Sequence, residues 1–147
     1  MTKPEAAELA NVHLAPSSPL KRRMEAEACS LLAQHGRPAI LCGDLNAFSI
    51  TDTPPLPGST PPLKERKKQD KRPAIELEEA GLRDMGAFLG NTEPTVGHRS
   101  GLAYRCDRFH TNLPDDALKG LHIVREDQPN SNHRPVVAEL EICDSPG

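Results

Sequence analysis

Aromatic residues are scarce in this chain of 147 residues: three Phe, one Tyr and no Trp, 3% in all. Base-stacking platforms of the RRM or single-strand-binding kind are built from such rings, so those modules are excluded. Positive charge is also short. The 18 Lys and Arg face 21 Asp and Glu, a formal net charge of −3, which excludes holding nucleic acid by bulk charge and leaves only a local basic patch. No apolar run approaches the roughly 18 residues of a membrane span. The segment Met1-Thr2-Lys3-Pro4-Glu5 has no apolar stretch of the signal-peptide kind, so a cytoplasmic chain without a membrane span is expected. Cys29, Cys42, Cys106 and Cys143 form no C-x-x-C pair and read as reduced thiols, packed as small hydrophobes. Zinc held by Cys106 and His110 with His98 or His122 lacks the paired spacing of such sites. Apolar residues at 36% predict a modest core, and the length fits one domain over 1–147.

What is present is a run of short, well-punctuated elements. In Ala-Asn-Val-His-Leu-Ala-Pro at 10–16, Val12 and Leu14 alternate with Asn11 and His13, which predicts a strand with His13 on the polar face. Ser18 as N-cap and Pro19 at the first helical position open a helix with Leu20, Met24, Ala28, Leu31 and Leu32 at helical spacing, closed by Gly36. Pro38-Ala39-Ile40-Leu41-Cys42 suits a strand buried on both faces that runs into Gly43-Asp44-Leu45-Asn46. Between about 49 and 72 the composition changes, with five prolines in 54–62 and six Lys or Arg in 63–72, and a mobile loop is expected. A short helix from Pro73 to Gly81 and a piece around Arg83–Leu89 follow, then strands at Ala103–His110, Leu121–Glu126 and Pro135–Ile142. In the last, Val136, Ala138, Leu140 and Ile142 share one face. The order predicts an α/β fold of the α+β type, a largely antiparallel sheet with helices on one face.

Polar residues cluster where strands end: Asn11 and His13; Asp44 and Asn46; Asp107 in Tyr104-Arg105-Cys106-Asp107-Arg108-Phe109; and Asn132-His133-Arg134-Pro135. Singly, each has a plain structural reading, since Asp-x-Asn after a strand is ordinarily a turn and an Asp between arginines a surface ion pair. In order, they resemble the endonuclease/exonuclease/phosphatase superfamily, metal-dependent phosphoesterases with a deoxyribonuclease I-like sandwich of mostly antiparallel sheets flanked by helices. His13-Leu14 is similar to that family's His-Leu strand and Gly43-Asp44-Leu45-Asn46 to its Gly-Asp-Phe-Asn signature. Arg105-Cys106-Asp107-Arg108-Phe109 is similar to its Arg-Ile-Asp-Tyr strand, and Ser131-Asn132-His133-Arg134-Pro135-Val136 to its Ser-Asp-His-Arg-Pro-Val terminus. The likeness spans 10–142 and resembles the C-terminal half to two-thirds of such a domain.

The resemblance implies a phosphoester substrate, nucleic acid among the candidates, and catalytic roles for His13, Asp44, Asn46, Asp107 and His133. Asp44 would deprotonate water, Asn46 would hold it, His13 would donate to a phosphate oxygen, and His133 oriented by Asp107 would face the phosphate. Asn11 and Arg134 would bind substrate. It further implies Mg²⁺ or Mn²⁺. Two departures weaken that metal: Asn132 stands where the family places an Asp, and Glu5 and Glu8 show no strand pattern that would supply the family's metal-binding Glu. Lacking the family's first half, the chain is expected to leave one sheet face uncovered and either to pair with a second copy or a partner chain or to be only marginally folded. The alternative is a non-catalytic remnant or interaction module of the same fold.

Overall fold

The apolar run Ala39–Asp44 forms the central strand, β2, of a four-stranded sheet. A computed structural model describes residues 6–98, 101–125 and 131–142; Glu5 and Cys143 lie outside them. Strand β1, Glu8–His13, lies parallel to β2, and β4, Asp107–Thr111, lies antiparallel to it. The two-residue β3, Arg83–Asp84, pairs with β4 to give the order β1-β2-β4-β3. Glu8 therefore opens a strand, against the expectation for it. Strands β5, Leu118–Ile123, and β6, Val136–Leu140, form a separate antiparallel ribbon. The architecture is mixed α/β, with two small sheets.

Alternation along β2 divides the core. Ala39 and Leu41 meet Leu14, Ala26, Leu45, Leu77 and Leu82 beneath helices α1, Pro19–Cys29, and α3, Arg72–Glu79. Ile40 on the opposite face meets Met85, Leu113, Ala117, Leu118 and Leu121 beneath the ribbon. Between α1 and α3 in the chain lies α2, Leu63–Arg66, and Met85–Leu89 forms α4, capped by Asp84, whose carboxylate accepts from the Ala87 amide. Val136, Ala138 and Leu140 face inward as the alternation predicts, and β5 starts three residues earlier than expected. Cys29, Cys42 and Cys106 are free thiols. Among the described residues no helix is long and apolar enough to cross a membrane.

Two expectations are corrected. Helix α1 begins at Ser18 and Pro19 as read, but turns its other face inward: Leu20, Met24 and Leu31 are 60–68% exposed, and Arg22 and Ala26 are fully buried. The reason is close packing with capping. The small Ala26 lets the helix approach the sheet, and Arg22 donates to the carbonyls of Ala15, at 3.1 Å, and Lys67. Residues 49–72 are not a featureless loop. They contain α2 and a 3-10 turn at Lys67–Gln69, and they bury Asp52 and Lys68. Asp52 anchors its end by accepting from the amides of Ser49, at 2.7 Å, and Arg105, at 3.1 Å.

His110 is fully buried on β4, its Nδ1–H donating to Leu82 O at 3.0 Å while Nε2 accepts from Arg108 Nε at 3.2 Å. Burial, with the neighbouring Arg108 cation, pushes its pKa down from 6.5 to about 4. Between those values the unfolded chain carries a proton that the folded chain does not. Stability should thus be intact above pH 6.5 and fall as the pH drops toward 4, by up to about 3 kcal/mol. Urea midpoints taken across that window test this, and His110→Leu should remove most of the slope.

Candidate functional site

The site forms where β1 and β2 end beside the start of β4, because the register places His13 opposite Asp44 and Asp44 opposite Asp107. Gly43 makes that exit possible. Its φ is +138°, and a Cβ there would overlap the Val12 carbonyl oxygen of the adjacent strand. Gly43→Ala should cost about 3 kcal/mol or more, seen as a lower urea midpoint at an unchanged slope.

Past Gly43 the chain folds into an Asx turn. Asp44 Oδ1 accepts from the Asn46 amide at 2.8 Å, and Asn46 sits at φ +51°, a conformation Asn tolerates. The ordinary turn reading of Asp-x-Asn is thus the one that Asp44 Oδ1 and the Asn46 backbone show. Asn46 is buried with both ends of its amide engaged: Nδ2 donates to Leu14 O at 2.8 Å, and Oδ1 accepts from Lys68 Nζ. Asn46 therefore holds the turn that aims Asp44, rather than offering its amide to the cleft. His13 Nε2 lies 3.6 Å from Asp44 Oδ2 on a largely exposed side chain.

On β4, three donors converge on one oxygen. Asp107 Oδ2 accepts from Thr95 Oγ1 at 2.7 Å, His133 Nδ1 at 2.8 Å and Cys106 Sγ at 3.1 Å. Thr95 sets this geometry twice, since its carbonyl also accepts the Arg134 amide at 2.8 Å and so docks the His133 segment beside β4. Donor atoms of Asp44, Cys106, Asp107 and His133 all lie within 4.8 Å of one another. Burial, then the carboxylates of Asp107 and Asp44, push the Cys106 thiol far above its ordinary range. An open cleft of about 680 Å³ adjoins the group, lined by Asn11, Asp107, His133 and Arg134 with the apolar Leu9, Cys42 and Phe109. Asn132 is exposed.

Sequence reading missed Thr95, Lys68 and the direction of Cys106. Nothing around Thr95 signals it. Lys68 sat in a basic run that read as a solvated loop, but its carbonyl accepts the Phe48 amide at 2.7 Å and its ammonium is buried against Asn46. Burial holds its pKa below the ordinary lysine range, against the opposing pull of Asp44. Cys106 was read as a packed thiol and does pack with Phe48, Val96 and Tyr104, while its sulfur faces Asp107. None of His98, His110 and His122 joins the group, so the zinc set weighed from the sequence is not assembled.

A hard dication fits these donors poorly. Mg²⁺ takes carboxylate oxygens and waters in near-octahedral geometry. Here only two of the four members are carboxylates, the other two being a thiol and an imidazole, and the nearby Asn46 Oδ1 is committed to a lysine ammonium. No family model matches the chain, and no curated protein matches it.

Proposed function

We propose that the chain is a phosphoester hydrolase of the endonuclease/exonuclease/phosphatase type, on the corresponding part of a deoxyribonuclease I-like sandwich. The observation that carries this reading is the Asp107–His133 hydrogen bond of 2.8 Å at the edge of a cleft, with Asp44 in the same cluster. Phosphoryl transfer asks mainly for positioning and for charge facing the phosphate oxygens. Asp44 takes a proton from water as the new bond to phosphorus forms and the ester bond breaks. His133, held in one tautomer by Asp107, presents its other ring nitrogen to a non-bridging oxygen. His13 donates to a second oxygen, and Asn11 and Arg134, both on the cleft wall, bind the remainder of the substrate. No step is drawn through Mg²⁺, since the donor set does not suit it.

Hydrolysis of bis-p-nitrophenyl phosphate by the whole chain tests the reading. His13→Gln should slow it about tenfold, less than the 10²–10³ typical of a buried oxyanion donor, because this side chain is largely exposed. Absence of turnover across pH 5–9 would favour the second reading, an interaction module of the same fold. One observation supports that alternative: Leu9 is 69% exposed on the cleft floor beside Cys42 and Phe109, an apolar sheet face open to a partner.

A further inference from the structure

The donor set that disfavours magnesium suits a softer ion. We propose that Asp44, Cys106, Asp107 and His133 form a four-coordinate zinc site, with one thiolate, one imidazole and two carboxylates as ligands. The proposal stands on the donor geometry, and with the ion bound it excludes the hydrolytic roles given above, since Asp44 and the Asp107–His133 contact are then spent on the metal.

Tetrahedral ligands at the usual Zn–N, Zn–O and Zn–S lengths of about 2.0–2.3 Å lie about 3.3–3.8 Å apart. Asp107 Oδ2 already lies 2.8 Å from His133 Nδ1 and 3.1 Å from Cys106 Sγ, and that sulfur is 3.8 Å from the same nitrogen. The whole set falls within 4.8 Å. Closure around one ion therefore requires separations to change by up to about 1.5 Å, with Asp44 moving most. At present, protons on sulfur and on the ring nitrogen mediate these contacts. A dication placed between the four groups replaces both: the thiol proton leaves to solvent, and the imidazole binds through Nδ1 with its proton on Nε2.

The supporting frame is in place. Thr95 donates to Asp107, and the Asn46 amide donates to Asp44, so each carboxylate ligand is oriented by a partner of its own. Cys106 is buried, with the Leu45 amide donating to its carbonyl at 2.8 Å, while His133 and Asp107 open onto the cleft and give the ion an entry path. Bound zinc would occupy the Asp107–His133 contact itself.

Titration of the whole chain with ZnCl₂, in a non-chelating reductant, should show one ion bound per chain. The cobalt(II) form should carry the thiolate-to-metal charge-transfer band of the near ultraviolet, and excess MgCl₂ should leave that spectrum unchanged. Cys106→Ser should abolish the band and weaken zinc by about 100-fold, the upper end of what outer-shell losses alone cause. His133→Asn, at a half-exposed residue, should weaken zinc comparably while keeping the band. Urea titration of each variant establishes that it is folded; should Cys106→Ser fail to fold, the wild-type cobalt spectrum and His133→Asn decide. No bound ion, a cobalt form without the band, or a folded Cys106→Ser that binds zinc as the wild type does would overturn the site. All these readouts are independent of turnover, so an inactive chain that binds zinc separates this proposal from the hydrolase reading.

Discussion

Asp44→Asn is expected to lower phosphodiester hydrolysis by about 10²–10⁴-fold, the range by which a positioned general base accelerates a reaction. The change is nearly isosteric. Asn retains an oxygen that can accept the Asn46 amide, the hydrogen bond of 2.8 Å that holds the turn, so the backbone has no reason to move. What is lost is the basic oxygen, Oδ2, which faces His13 across the paired strand ends. Steady-state kinetics on bis-p-nitrophenyl phosphate, with a urea midpoint for each protein, separates the two effects. A folded variant with unchanged turnover would remove Asp44 from the chemistry. Comparison with Asp107→Asn sharpens the result. If Asp107 acts only by orienting His133, Asp107→Asn and His133→Ala should each lower turnover, and the double variant should be little worse than the more damaging single one, because the two act as one unit.

The second large effect concerns stability. Asp84→Ala should cost about 3–5 kcal/mol, a substantial part of the roughly 5–15 kcal/mol that holds a typical domain together. Asp84 and Arg105 have side chains 2% and 3% exposed, and the pairing is bidentate, with Arg105 Nη2 2.5 Å from Asp84 Oδ2 and Nη1 3.2 Å from Oδ1. Removing the carboxylate strands a guanidinium in the interior and also removes the cap of α4. Most of the cost comes from that unpaired charge rather than from the worth of the pair. Asp84→Leu combined with Arg105→Met should therefore recover much of the loss, and the non-additivity is measured directly by a double-mutant cycle. If Asp84→Ala proves nearly neutral in urea titration, the buried pair does not support the fold in this way. Arg105 precedes Cys106 and Asp107, so its anchoring to Asp84 and Asp52 also holds the start of the strand that carries the site.

Much of this fold was legible in local pattern. An apolar run ending in Gly-Asp-Leu-Asn, a Ser-Pro helix start and the alternation of Val136 to Leu140 each express a constraint that acts within a few residues: a strand buried on both faces, a cap, a half-buried ribbon. The meeting of His13 with Asp44, and of Asp44 with Asp107, could be anticipated because each sits at an end of a strand and neighbouring strand ends meet; His133 reaches the group from the segment before β6. Which face of α1 turns inward could not. Helical spacing favours Leu20, Met24 and Leu31, and the choice of Arg22 and Ala26 instead depends on carbonyls of Ala15 and Lys67 that the helix meets only after folding.

The same division holds at the site. Residue types and their order were enough to nominate a base, two histidines to face a phosphate, and a turn. Only the tertiary structure placed the Lys68 ammonium against Asn46, twenty-two residues away, aligned Thr95 with Asp107 and Arg134, and turned the Cys106 sulfur toward the carboxylates. The physical reason is that charge pairing, desolvation and ligand geometry depend on distances between atoms far apart in the chain. Periodicity and capping, by contrast, depend on neighbours that the backbone brings together by itself.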